Sequence, residues 1–112
     1  MDINSLKKDK RKFARIELEF PVSFVRFDQE GDEKGIACDI SLEGVGAYTK
    51  KEFLRGASIA LKLKIPDGGK PVLVKGKVRW LRHLGGDNYR LGITVADLCL
   101  FSLERAFKIK LE

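Results

Sequence analysis

The alternation of apolar and charged residues is the feature that most constrains the fold of this chain. It is cleanest over residues 58–65, where the apolar positions are Ile59, Leu61, Leu63 and Ile65. Lys62 and Lys64 stand between them. Because successive side chains of a strand point to opposite faces, this pattern predicts a β-strand with one buried face.

Five further segments are predicted strands between polar turns. They are residues 18–24, 36–40, 44–49, 72–84 and 89–95. In the second of these, the period of two directs Ile36, Cys38 and Ile40 inward. Asp39 and Ser41 then face outward, where a ligand can reach them. The polar stretch 28–35 is predicted to be the turn before this strand.

The end of the chain changes to a helical period. The recurring apolar residues are Leu100, Leu103, Phe107 and Leu111. With Asp97 as a helix cap, they predict a helix over residues 97–111. Six short strands followed by one helix predict an all-β fold, a six-stranded antiparallel barrel with a C-terminal α-helix over one opening.

Length and composition indicate a single globular domain. The chain has 112 residues, of which 44% are hydrophobic and 34% charged, and no apolar run approaches the roughly 20 residues of a membrane span. Its start has no apolar signal segment, so the expected compartment is the cytoplasm. Residues 1–10 are predicted to form a flexible basic arm, and residues 11–112 the barrel domain.

The net charge of +6 is concentrated in two segments. Residues 1–15 hold six basic and two acidic side chains, and residues 72–90 hold five basic and one acidic. Each segment therefore carries +4. This distribution favours an anionic partner, although a solvated tail and an exposed strand face would give the same pattern.

Two short motifs supply chemistry suited to a guanine nucleotide. The first is the pair Arg11 and Arg15 in the stretch KRKFAR, and the second is the turn Asp39-Ile40-Ser41-Leu42-Glu43-Gly44. A planar guanidinium group can pair with guanine O6 and N7 or with a phosphate. The turn offers a carboxylate acceptor, a hydroxyl donor and a glycine that lets the backbone approach a ligand.

The turn also has a purely structural interpretation. Asp39 and Ser41 can satisfy local amides of an ordinary Asx-type turn, with Gly44 at positive φ. Taken alone, the turn favours this interpretation, whereas its combination with the two arginines favours a binding site.

The two motifs, followed by Val78-Arg79-Trp80 and Tyr89-Arg90-Leu91-Gly92-Ile93, resemble the PilZ domain family from about residue 10 to about residue 98. Members of that family are receptors for bacterial cyclic di-GMP, and their fold is a barrel of the predicted kind. The resemblance implies that the ligand-binding residues are Arg11, Arg15, Asp39, Ser41 and Gly44.

Two further residues are secondary candidates for the ligand site. Lys10 precedes the first arginine, where a basic residue in the family favours a stacked pair of ligand molecules over one. Trp80 can present its ring to a guanine, although its place in an alternating strand is more typical of a core residue.

The sequence contains no recognisable catalytic or metal-binding constellation. Ser41 lacks an evident histidine base, and His83 has no metal ligand at a suitable spacing. Cys38 and Cys99 are too far apart in sequence for a Cys-x-x-Cys motif. We therefore expect a binding module with no cofactor, and not an enzyme.

The leading functional hypothesis is a cyclic di-GMP receptor that relays ligand occupancy to a partner protein through ordering of its N-terminal arm. One alternative is a small basic barrel that binds RNA or single-stranded DNA. Nucleic acid is the less favoured partner, because binding of single strands uses exposed aromatic residues that stack on bases. The alternation instead places Phe20, Phe24 and Trp80 on the core faces of their strands. Another alternative is a ligand-free PilZ-type adaptor, which the intact motifs disfavour.

Overall fold

The computed structural model describes residues 15–26, 32–96, 98 and 100–111. The strands are β1 (Ile16–Arg26), β2 (Asp32–Ile40), β3 (Gly44–Thr49), β4 (Ser58–Leu63), β5 (Val72–Gly85) and β6 (Asn88–Val95), and the helix is α1 (Leu100–Leu111). The strands form a closed barrel in the order β1-β2-β3-β6-β5-β4, with every neighbouring pair antiparallel. The predicted six-stranded antiparallel barrel with a C-terminal helix is confirmed.

The inward residues of the strands and Phe53, from the connection between β3 and β4, form one apolar core. Among its largest members, Phe24 and Phe53 are completely buried, and their rings pack at a centroid distance of 5.3 Å. Leu103 and Ala106 of α1 belong to the same buried cluster. The alternation read from the sequence therefore identifies the core face of most strands, because a closed barrel buries one face of each strand.

The helix α1 packs against β1 and is also held by an ion pair outside the core. Arg105 donates to both carboxylate oxygens of Asp67, with distances of 2.5 and 2.7 Å. Asp67 lies in the connection between β4 and β5 and also accepts the amide hydrogen of Gly69. The helix begins at Leu100 rather than at residue 97, and Asp97, the predicted cap, lies outside the described residues.

A β-bulge in β2 changes the predicted orientation of its first residues. Ala37 pairs with Ala47 and Asp39 pairs with Gly46, so Cys38 is an extra residue between two ordinary pairs. Ala37 and Ile40 are consequently both buried, whereas Ile36 is 43% exposed. The expectation that Ile36 and Cys38 share the inward face with Ile40 was therefore wrong. The strand also begins at Asp32, so the predicted turn over residues 28–35 was too long.

A second bulge, in β5, reorients Trp80. Val78 pairs with Ile93 and Trp80 pairs with Gly92, which leaves Arg79 as the extra residue. Val78 is buried, but Trp80 has moved to the outer face and is 38% exposed. Its expected position in the core was wrong, because a period of two holds only while the register is unbroken.

Candidate ligand-binding site

The candidate site lies on the outer face of the barrel, where four strands place Asp39, Gly46, Gly92 and Trp80 in one cross-strand row. The two glycines lie between Asp39 and Trp80 and have no side chain to cover the sheet there. A Cβ atom at Gly46 would stand 2.7 Å from an Asp39 carboxylate oxygen, and one at Gly92 would overlap the Trp80 indole. Glycine at both positions thus lets the carboxylate and the indole lie directly over the sheet.

The Asp39 carboxylate is held between two arginines. Oδ1 lies 3.8 Å from Arg15 Nε, and Oδ2 lies 3.5 Å from Arg90 Nη2. The residue is only 8% exposed, so it faces outward as predicted but is largely covered. Positive charge on both sides compensates a carboxylate at such a position, which would otherwise be costly to desolvate.

The two arginines differ in how much of their side chains is covered. The side chain of Arg15, just before β1, is 55% exposed, whereas that of Arg90 on β6 is 33% exposed. The Arg90 guanidinium also lies over the Tyr48 ring, 5.5 Å from its centroid. Its buried Nε has no hydrogen-bond partner among the described residues. Arg90 is therefore the more constrained of the two, and Arg15 is the arginine with more freedom to meet a ligand.

The thiol of Cys38, the bulge residue, lies beside the Asp39 carboxylate and is affected by its charge. Its Sγ lies 3.7 Å from Asp39 Oδ2. Partial burial, and secondly the negative charge of Asp39, raise the pKa of the thiol above its usual value. Cys38 is thus in its neutral form near pH 7, and it adds no charge to the site.

The turn after β2 is stabilised by its own hydrogen bonds. The Ser41 hydroxyl accepts the amide hydrogens of Glu43 and Gly44 at 3.2 and 3.3 Å, and the Ser41 amide donates to the Gly44 carbonyl at 2.9 Å. The hydroxyl hydrogen is still able to donate to another acceptor. Gly44 does not have positive φ; a Cβ atom there would overlap the Ile93 carbonyl oxygen. Close approach between strands, rather than turn geometry, requires this glycine.

A second ion pair borders the site. Arg79, the bulge residue of β5, lies 3.3 Å from the Glu43 carboxylate, and both side chains are largely exposed. The pocket between these groups encloses about 110 Å³, less than the roughly 300 Å³ at the small end of drug-sized ligand sites. A ligand as large as a dinucleotide would therefore lie partly above the surface.

The sequence profile of the PilZ domain matches residues 9–99. The chain belongs to the PilZ domain family. The PilZ domain of Escherichia coli YcgR, solved with c-di-GMP, is similar at 16% identity and a TM-score of 0.67, over 91% of this chain and 97% of that one. Among curated protein sequences, none matches this chain significantly.

Two longer proteins have a similar fold. The Bacillus subtilis inhibitor of motility MotI/DgrA has 13% identity and a TM-score of 0.66 over 87% of this chain. MrkH of K. pneumonia, solved as a c-di-GMP complex, has 18% identity and a TM-score of 0.62 over 88% of this chain. This PilZ domain spans about half of each, 49% and 48% respectively.

The structure brings most of the predicted site residues of this PilZ domain to one pocket. The predicted residues that line it are Arg15, Asp39, Ser41, Gly44 and Trp80. Lys10 and Arg11 lie outside the described residues. No group of three or more His, Cys, Asp or Glu suited to a metal ion occurs in the described part of the chain. No described helix is long and apolar enough to cross a membrane.

Several residues of the pocket were not assigned a role from the sequence. They are Glu43, Gly46, Arg79, Arg90 and Gly92. The segments around Arg79 and Arg90 contributed to the family resemblance, which was the available signal for them. The roles of Gly46 and Gly92 depend on the pairing of β3 with β6, which a local pattern does not specify.

Proposed function

We propose that this PilZ domain is a receptor for cyclic di-GMP and acts by binding rather than by catalysis. The observation that carries the proposal is the pair of ion contacts that Arg15 and Arg90 make with Asp39 beside the exposed Trp80. Guanidinium groups, a carboxylate and an aromatic ring are the complements of phosphates, guanine N–H groups and a purine face respectively. The structures of the YcgR PilZ domain and MrkH with c-di-GMP support the choice of ligand.

Arg11 belongs to the proposed site together with Arg15. Arg11 lies four positions before Arg15, so the Cα atom of Arg11 can be at most about 14 Å from that of Arg15. Because the pocket is smaller than a dinucleotide, we propose that the segment before Arg15 covers the ligand. Ordering of this arm would be the output signal to a partner protein, and the proposed compartment is the cytoplasm.

The proposed stoichiometry is two stacked ligand molecules for each domain. Lys10 and its basic neighbours Lys7, Lys8 and Lys12 would compensate the charge of the additional phosphates.

Calorimetric titration tests the identity of the ligand and the number of bound molecules together. We expect saturable heat with cyclic di-GMP at a molar ratio of two, and none with GMP or GTP; a ratio of one would exclude the stacked pair.

The nucleic-acid alternative is favoured by one feature beside the proposed site. A groove on β4 and β5 is lined by four basic residues, Arg55, Lys75, Lys77 and Arg79. A short single-stranded oligonucleotide in the same titration distinguishes the two functions. Salt-sensitive binding of the oligonucleotide with no heat from the dinucleotide would support the alternative, and no heat from either would favour a ligand-free adaptor.

Amide hydrogen exchange of residues 5–15 tests the proposed output. We expect protection of this segment to increase when cyclic di-GMP is bound, because its amides would be covered by the ligand and the barrel. Equal exchange with and without bound ligand would exclude the arm as the signal while leaving the receptor function intact.

A further inference from the structure

A second surface of the barrel has the properties of a protein docking site. It is a groove of about 530 Å³ formed by β2, β3, β5 and β6, and its apolar lining comes from Ile36, Tyr48, Leu84 and Tyr89. Three of these are exposed, with Ile36 at 43%, Tyr48 at 37% and Leu84 at 49%. Clustered exposed apolar side chains on a small domain mark interaction sites more often than isolated ones do.

The bulge in β2 is what places Ile36 on this groove. Ile36 pairs with Tyr48, and Tyr48 pairs with Arg90. Without the extra residue Cys38, Asp39 could not point outward while both Ala37 and Ile40 point into the core. The same irregularity therefore builds part of the candidate ligand site and leaves Ile36 exposed three residues earlier in the same strand.

The charged side chains that line the groove are lysines. Lys34 and Lys50 line it, and among the described residues no Asp or Glu does. Lys50 also contacts the Asn88 side chain and lies 3.8 Å from Asp87, at the end where β5 turns into β6. An apolar groove with lysines at its rim is complementary to an apolar segment flanked by carboxylates.

The groove and the candidate ligand site share a physical connection. Arg90 lies over the Tyr48 ring at 5.5 Å, and it also lies 3.5 Å from the Asp39 carboxylate. A phosphate or guanine that engages Arg90 would compete with one or both contacts. Any resulting shift of the guanidinium would change the support of the Tyr48 ring in the groove.

We propose that this groove binds a segment of another protein in which apolar residues are flanked by Asp or Glu. We further propose that ligand occupancy alters this binding through the Arg90–Tyr48 contact, a step that rests on the proposed cyclic di-GMP receptor function. Such a surface gives the receptor a place to contact its partner that is separate from the arm.

A displayed library of random 12-residue peptides tests the docking site with the whole chain as target. We expect the enriched peptides to combine apolar residues with Asp or Glu. Substitution of Ile36→Ser should weaken their binding at least tenfold, because it removes an apolar side chain that lines the groove. The matched control is Leu54→Ser, since Leu54 is 78% exposed and lies outside the groove.

Three outcomes of this experiment would overturn the docking proposal. They are the absence of enrichment, enrichment of basic peptides, and equal binding by the Ile36→Ser variant. Sedimentation of the unliganded chain adds a fourth. A dimer that dissociates on Ile36→Ser substitution would show that a second copy of this chain, rather than another protein, covers the groove.

The connection between the sites is tested with an enriched peptide and saturating cyclic di-GMP. We expect the dinucleotide to change peptide affinity at least threefold in the wild-type chain and to have no effect in a Tyr48→Leu variant. A wild-type affinity that does not respond to bound dinucleotide would overturn the connection. If calorimetry shows no dinucleotide binding at all, the receptor function fails, and the peptide experiment still decides the docking site.

Discussion

Asp39 and Trp80 occupy one cross-strand row on the outer face of the barrel, separated only by Gly46 and Gly92. Each of the two outer residues follows a β-bulge, at Cys38 in β2 and at Arg79 in β5. The bulges turn the carboxylate and the indole outward, and the glycines let them lie over the sheet. The candidate site thus depends on irregular pairing as much as on its charged residues.

The first prediction tests the close approach of Trp80 to Gly92. In the Gly92→Ala variant, the new Cβ atom would overlap the indole, so the ring must move. We expect a loss of unfolding free energy of about 1–3 kcal/mol, the usual cost of overpacking, and weaker cyclic di-GMP binding. Urea unfolding measures the first effect, and calorimetry the second.

A double-mutant cycle provides the control for this prediction. With Trp80→Ala already present, the Gly92→Ala change should cost much less stability, because the atoms it would overlap are gone. Additive losses in the two single variants and the double variant would show that the indole does not restrict this position.

The second prediction concerns Arg15, the more exposed arginine beside Asp39. Substitution with Ala removes a charge-assisted contact worth about 1.5–3 kcal/mol, so cyclic di-GMP affinity should fall at least tenfold. Thermal stability should change little, because the side chain is 55% exposed and Arg90 still compensates the Asp39 carboxylate. Arg55→Ala is the matched control, since Arg55 is exposed and does not line the pocket. A folded Arg15→Ala variant with unchanged affinity would remove Arg15 from the site.

The third prediction concerns the shape of the Arg90 side chain. Lysine would keep the positive charge but lose the planar fork that contacts Asp39 and lies over Tyr48. We expect the Arg90→Lys variant to remain folded and to bind cyclic di-GMP at least tenfold more weakly by calorimetry. Arg55→Lys serves as the control, and equal affinities of the two variants would show that charge alone suffices at residue 90.

The fourth prediction tests the structural role of Ser41 in the turn. Its hydroxyl accepts two amide hydrogens of the turn, so Ser41→Ala should lower the unfolding free energy by about 1 kcal/mol. The matched Ser58→Ala change on the exposed side of β4 should alter stability by less than about 0.5 kcal/mol. Equal stabilities of the two variants in urea would contradict the assigned turn contacts.

The fifth prediction is a pH dependence of stability from the Asp67–Arg105 pair. Arg105, and secondly the Gly69 amide, hold the pKa of the Asp67 carboxyl well below its ordinary value of 3.8. Because the unfolded chain takes up this proton first as pH falls, the stabilisation is present above pH 3.8 and is lost as pH decreases toward the folded pKa.

Thermal unfolding of wild type and Asp67→Asn measures this effect. We expect the variant to melt at most a few degrees lower at neutral pH, because the pair is near the surface. The difference should shrink below about pH 3.8. Glu104→Gln, which breaks the exposed pair with Lys108, is the control and should change the melting temperature less. A difference that grows as pH falls would be the wrong sign for this pair.

The sequence by itself determined the barrel, the helix and the main candidates for the site. The alternation over residues 58–65 identified Ile59, Leu61 and Leu63 as core residues, and all three are fully buried. Arg15, Asp39 and Ser41 were recognisable because their residue types and order form a motif that does not depend on register. Such features are local, so they can be read without knowing which strands are neighbours.

Only the tertiary structure decided the orientation of Ile36 and Trp80 and the contribution of Arg90. Each depends on the register in which strands pair, and one extra residue in a strand reverses every side chain beyond it. The two bulges have no clear local signal, because Cys38 and Arg79 fit an unbroken alternation as well as a broken one. The contact of Arg90 with Asp39 exists because β3, which lies between their strands, carries a glycine opposite the carboxylate.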